Sequence, residues 1–430
     1  MSATKEERHI PHLFKVVALS SVGSGLEMYD FVIYIFFAPY IAKQFFPTTN
    51  ILVSLLLAFS VFAVGFLCRV LGAILFGHMG DTVGRKKSLI YTVITMAIPM
   101  IVLTFLPTYD QIGFMAPVLL TLMRCLQGLA VGGEFSGALT LVSEYAPPKK
   151  RGFICSLIIL SLNAGILLAS LISLVIQKIV IEDGEKLWGW RIGLFIGCIL
   201  AVLIAILRRG IDETPAFQQL VDEKKTLQMP VIKLFTEKTW GTITLIGSMI
   251  GPALAVGMLM FLPTYLENFS YLHQSVTVFI NNSLFLVILC SALPFFGKLS
   301  DFLGRKPIFI TGLGGIALFI YPIARWLSTA ESHFSIFWPL FFLAILISMV
   351  LSVFGTILSE NFPTRLRASG IGIAYNLPFA IITGTFPMVS IAIYRHTQSL
   401  TLQYVYIIVL SLISIGFIYF SNRNRNHSQL

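Results

Sequence analysis

The chain reads as an all-α membrane protein of 12 transmembrane helices, two pseudo-symmetric six-helix bundles around a central cavity. Three observations lead there. Of 430 residues, 56% are hydrophobic and only 12% charged, and the mean hydropathy is +0.86, a balance that excludes a soluble globular chain. The apolar residues gather in runs long enough to cross a bilayer, which takes roughly 20 residues of helix. A short motif also occurs twice, as Gly77-His-Met-Gly-Asp81-Thr-Val-Gly84-Arg85-Lys-Lys and as Gly297-Lys-Leu-Ser-Asp301-Phe-Leu-Gly304-Arg305-Lys306. In both copies an Asp follows the first Gly by four and a Gly-Arg-Lys follows that Asp by three, the two copies lying 220 residues apart. Two copies at matching places in two halves indicate an internal duplication.

The spans are expected near 14–42, 51–76, 88–107, 112–142, 153–178, 190–208, 239–266, 274–297, 307–327, 335–359, 368–393 and 402–421. The first apolar run continues too far for a cleavable signal peptide, so Leu13 onward is expected to be retained as a span. The longest polar loop separates the halves, giving an N-terminal bundle over 1–208, a linker over 209–238 and a C-terminal bundle over 239–430. Within the linker, Asp212-Glu213-Thr214-Pro215 is a helix start. A short amphipathic helix lying on the membrane surface follows, with Phe217 and Leu220 on its apolar face.

Charge gives the orientation. With the N-terminus inside, 22 of the 30 Lys and Arg fall on the inner side and 6 on the outer, leaving Arg69 and Arg124 within spans. Both termini are therefore expected in the cytoplasm. The net charge of +10 is then a topology signal, and no nucleic-acid partner is implied. Cys68, Cys125, Cys155, Cys198 and Cys290 all sit in apolar segments without paired spacing, so neither a disulfide framework nor a metal site is expected. No nucleophile constellation, phosphate loop or soluble module supports an enzyme.

A second repeat supports the duplication. Ser143-Glu144-Tyr-Ala-Pro147-Pro-Lys-Lys-Arg151 ends span 4, and Ser359-Glu360-Asn-Phe-Pro363-Thr-Arg365-Leu-Arg367 ends span 10, an offset of 216. Proline after a helix and basic residues at its C-terminus are also ordinary helix-stop chemistry. Together with the loop motif, this places Gly77, Asp81, Gly84, Arg85, Glu144, Arg151, Asp301, Arg305, Glu360 and Arg365 in one cytoplasmic gate. Its charges would lock that side when the protein faces outward and separate when it opens inward.

The groups most expensive in a bilayer are the charges inside it, at least roughly 2.5 to 3.5 kcal/mol each on insertion scales. Glu27 and Asp30 are three residues apart and share a helical face. Arg69, Arg124 and Glu134 come from spans 2 and 4 of the same half. Arg124 and Glu134 are ten residues apart, about 15 Å along the axis, and so lie at different depths. No His falls at mid-span, so a coupled proton must ride on a carboxylate: Asp30 and Glu134 first, Glu27 next. Arg124 and Arg69 suit a substrate carboxylate, because a guanidinium stays charged and matches two oxygens. The competing reading is that these charges pair with one another and only hold helices together. Gln127, Tyr34, Tyr265, Asn281, Asn282, Tyr375 and Asn376 are candidates to line the same cavity.

The chain resembles the major facilitator superfamily, and within it the metabolite–proton symporter branch that holds proline/betaine, citrate, 2-oxoglutarate and shikimate permeases. The residues that carry the resemblance are Gly25-Leu-Glu27-Met28-Tyr29-Asp30-Phe31, Arg69 ahead of the Gly77 loop, Arg124-Cys-Leu-Gln127-Gly128 with Gly132-Gly133-Glu134, Trp188-Gly-Trp190-Arg191, Glu213-Thr-Pro215-Ala-Phe217 and Phe362-Pro-Thr-Arg365. Met28 and Val70 stand where the branch usually has Trp and Pro. The resemblance implies a monomeric secondary transporter of a bacterial-type inner membrane. It would take up a small carboxylate or zwitterion with H+ by alternating access, on the proton gradient and without a cofactor. In that family the loop Asp and Arg carry the gating role. A proton-driven exporter of metabolites or drugs remains the alternative reading, although span 5 lacks the Gly-Pro-rich signature of antiporters. An importer of larger citrate-type polycarboxylates is the other.

Overall fold

The computed structural model describes residues 3–178, 188–208, 213, 215–223, 230–237, 239–270, 275–330 and 332–420. Among the described residues ten helices are long and apolar enough to cross a membrane, and the bent pair Val17–Phe36 and Ala38–Phe45, taken as one span, makes an eleventh. Gly189–Arg208 supplies the twelfth, shorter one. In chain order, spans 2 to 5 are Ile51–Thr82, Arg85–Phe105, Met115–Tyr145 and Arg151–Ile176. Span 7 joins Thr239–Ser248 to Ile250–Phe269. Spans 8 to 10 are Ser275–Leu303, Arg305–Thr329 and His333–Asn361. Span 11 runs from Arg367–Pro378 through a π-helical turn at Phe379–Thr383 to Gly384–Thr397, and span 12 is Thr401–Phe420.

Three spans are broken where a continuous helix was expected, and proline accounts for two of the breaks. Span 1 bends by 62° at Phe37, and Pro39 in the first turn of the second piece fixes the new start. Span 7 breaks at Met249, three residues before Pro252, which has no N–H for the Ser248 carbonyl. The Ser414 hydroxyl of span 12 donates to that carbonyl instead, at 2.7 Å. The π turn of span 11 is tied to span 7 by the Thr383 hydroxyl donating to the Ala253 carbonyl, at 2.5 Å.

Glycine lets the first half close around its charges. Spans 2 and 4 approach so nearly that a Cβ on Gly72 would collide with the Leu129 carbonyl, and one on Gly132 with that of Arg69. Spans 1 and 5 touch in the same way where Gly165 meets the Gly25 carbonyl. Backbones this close draw Asp30, Arg69, Arg124 and Gln127 from three helices into one volume. The halves meet mainly along spans 2 and 11 and along spans 5 and 8.

Candidate substrate site and gate

The deep site begins on span 1. Asp30, 1% exposed, accepts a hydrogen bond from the Gln127 amide of span 4 at 2.6 Å. One turn along, the Tyr34 ring lies under the Arg124 guanidinium, 4.0 Å from its centre, and Tyr34 donates to the Ala58 carbonyl at 2.9 Å. Phe31 flanks the same guanidinium at 6.0 Å. Arg124 is fully buried, and none of its three nitrogens donates a hydrogen bond to a described residue. The second carboxylate oxygen of Asp30 likewise accepts none. Burying a charge without hydrogen bonds is costly, so an arginine held flat on an aromatic face with its donors unserved is shaped for an anionic group.

Arg69 is held by the other half of the molecule. Its Nε donates to Asn376 at 3.1 Å and its Nη2 to the Tyr375 hydroxyl at 3.1 Å, both on span 11 of the other half. Glu27 stands 4.0 Å away, and the Phe66 and Tyr375 rings face the guanidinium at 4.8 and 5.3 Å. Asn376 also donates to the Gly132 carbonyl at 2.8 Å. Arg69 thus clasps the halves, with two of its nitrogens engaged and Nη1 unpartnered.

The remaining candidates divide. Glu134 accepts from the Thr92 hydroxyl of span 3 at 2.8 Å, within its own half, rather than joining Asp30. Asn282 reaches across the halves to donate to Ser170 at 2.9 Å, and Ser170 meets Ser283 at 2.8 Å. Asn281 instead donates back to Thr277 of its own helix at 2.9 Å. Tyr265 faces Tyr404 at 3.5 Å inside the second half, away from Arg124.

At the basic end the repeated loops form a paired closure. Gly84 and Gly304 turn with φ of +126° and +89°, a backbone that side-chain-bearing residues resist. Asp81 pairs with Arg85 at 2.7 Å and accepts from the Ser369 amide of span 11 at 2.9 Å. Asp301 pairs with Arg305 at 2.8 Å and accepts from the Gly152 and Phe153 amides of span 5, each at 2.9 Å. Each loop carboxylate therefore caps the first turn of a helix in the opposite half, where free amides and the helix dipole favour an anion. Arg85 also donates to the Thr364 carbonyl at 3.0 Å and sits 3.6 Å from Glu144, while Arg305 bonds Glu360 at 3.2 Å.

One expectation at this end is corrected, and one residue joins the gate. Arg367 pairs with Glu144 across the halves, at 3.2 Å, and the Arg365 side chain is exposed. The 216-residue offset already matched Arg151 to Arg367. Arg151 itself is partly exposed, one residue ahead of the amides that Asp301 takes. The linker helix Pro215–Asp222 also turns its Phe217 inward, not to the membrane, with the Arg85 guanidinium 5.1 Å over its ring. Glu213 accepts from the Arg85 and Lys86 amides at 3.1 and 3.2 Å and so caps span 3. Asp212, Thr214 and the Leu220 side chain lie outside the described residues.

A family model described as Major Facilitator Superfamily matches residues 21–375. The proline/betaine transporter of Escherichia coli (strain K12) is 33% identical over 414 residues, covering 94% of this chain and 82% of its own length. A glycine betaine/proline/ectoine/pipecolic acid transporter of Dickeya dadantii (strain 3937) is 31% identical with the same coverage. Among solved structures, the proton:xylose symporter XylE superposes with a TM-score of 0.78 at 17% identity, covering 95% of each chain. The human organic anion transporter MFSD10 gives 0.69 at 13% identity, covering 94% and 99%.

Proposed function

We propose that the chain, which belongs to the Major Facilitator Superfamily, takes up a small zwitterion or monocarboxylate of the proline or betaine kind together with protons, by alternating access. The unserved, fully buried guanidinium of Arg124 beside Asp30 carries this reading. One free guanidinium suits one carboxylate. With two of the three Arg69 nitrogens engaged by Tyr375 and Asn376 and only Nη1 unpartnered, the site is poorer in cationic donors than a citrate-type polycarboxylate needs. Of the three buried carboxylates within the spans, Glu27, Asp30 and Glu134, the last two offer places for a proton. Asp30 has an oxygen accepting nothing. Thr92 has a single hydroxyl proton to divide between Glu134 at 2.8 Å and the Leu89 carbonyl at 2.9 Å, so a protonated Glu134 would complete the second bond.

The basic end is the cytoplasmic side on the distribution of Lys and Arg, in a bacterial-type inner membrane, with 1–208 and 239–430 as the two moving halves and 209–238 as the linker. The protein works as a monomer and needs no cofactor beyond the proton gradient. A membrane potential of about 100 mV supplies roughly 2.3 kcal/mol per charge and one pH unit about 1.4 kcal/mol, together several-hundred-fold accumulation of a zwitterion carried with one proton.

Proteoliposomes with an inward proton gradient test this. Labelled glycine betaine or proline should accumulate in vesicles of the wild type. The double variant Asp30→Asn, Glu134→Gln should lose uphill uptake while still exchanging label between preloaded and external pools. Wild-type accumulation by that variant would remove both carboxylates from the coupling.

A further inference from the structure

A cavity of about 210 Å³ lies between the halves at the end opposite the gate. Span 1 contributes Tyr40 and Lys43, span 5 Gln177, span 7 Thr264 and Glu267, and span 8 Phe279. Tyr40 donates to Gln177 at 3.0 Å, which fixes its ring against the wall. The floor is an aromatic pair across the halves, Phe36 against Phe279, with ring centres 5.5 Å apart and planes at 73°. Phe36 is two residues beyond Tyr34, the ring that carries Arg124. The cavity therefore lies further out along span 1 than the deep site, with the Phe36–Phe279 pair at its inner end.

The two charges of this cavity have opposite sign and come from opposite halves. Lys43 is exposed and Glu267 half-buried. We propose that the cavity is an outer subsite for a zwitterion, with Lys43 taking the carboxylate and Glu267, with the faces of Tyr40 and Phe279, taking the cationic nitrogen. Carboxylate contact and aromatic faces both favour a quaternary or secondary ammonium. A simple anion or cation would satisfy only one wall, so the cavity selects for both charges before the Phe36–Phe279 pair parts. A ligand bridging the halves here also draws them together at this end, which is the movement that must accompany opening at the other.

This subsite rests on the reading of the protein as a zwitterion importer, and two measurements keep the two claims separate. In proteoliposomes, Lys43→Gln and Glu267→Gln should each raise the KM for glycine betaine about tenfold, with Vmax unchanged. In purified protein, glycine betaine should slow acylation of Lys43 by an amine-reactive reagent, followed by mass spectrometry, and Glu267→Gln should weaken that protection about tenfold. Uptake with a wild-type KM in both variants, or no protection of Lys43, overturns the subsite. Protection without any transport by the wild type would leave the subsite standing and refute the importer.

Discussion

At the residue scale, the account turns on Arg124. Lysine would keep its charge but lose the flat stack on Tyr34 and the paired donors that match two oxygens. Arg124→Lys should therefore weaken glycine betaine binding at least tenfold, seen as loss of the substrate-induced rise in melting temperature. Unchanged binding would mean that the substrate is held elsewhere. Arg124, Asp30 and Gln127 were legible in the sequence because charge in a bilayer is conspicuous and their helices lie in one half. Arg69 was legible as important but not in role, since its partners Tyr375 and Asn376 are some 300 residues away and no spacing rule joins them. Thr92 gave no signal, being one hydroxyl among many on an apolar helix.

At the element scale, the glycine seams set how near the charges can come. Gly72 faces the Leu129 carbonyl of span 4 with no room for a methyl group, whereas a Cβ on Gly314 would meet nothing within 4 Å. Gly72→Ala should cost about 1–3 kcal/mol, read as a lower unfolding temperature in detergent, while Gly314→Ala should be close to neutral. Equal stability of the two variants would show that the seam is looser than described. Twelve crossings could be read from hydropathy because the bilayer demands length and apolarity of every helix. The bend at Phe37 and the break at Met249 were harder to place. Pro39 and Pro252 were visible, but proline is common in membrane helices and breaks one where a neighbour donates to the freed carbonyl, as Ser414 does. The linker helix showed its apolar face, but not that Phe217 would pack on Arg85 in place of lipid.

At the scale of the whole molecule, the duplication is written in the two loops, and each copy reaches into the opposite half. Asp81 caps span 11 from the first half, and Asp301 caps span 5 from the second. Both helix caps cross the interface, and Arg367 on Glu144 adds a third crossing contact. The loops and helix ends could be matched by offset alone, but the acceptors are backbone amides, which leave no mark in a sequence. With this end shut and Arg69 holding the two halves, the proposed inward transport requires all of these contacts to part together.

Spin labels on Val83 and Phe302, exposed on the two loops, measure that parting directly. The account predicts a single short distance in the resting wild type. A second, longer distance should grow when glycine betaine is added with an inward proton gradient, and should dominate in the double variant Asp81→Asn, Asp301→Asn. One unchanged distance under all these conditions, in protein that still takes up substrate, would contradict it.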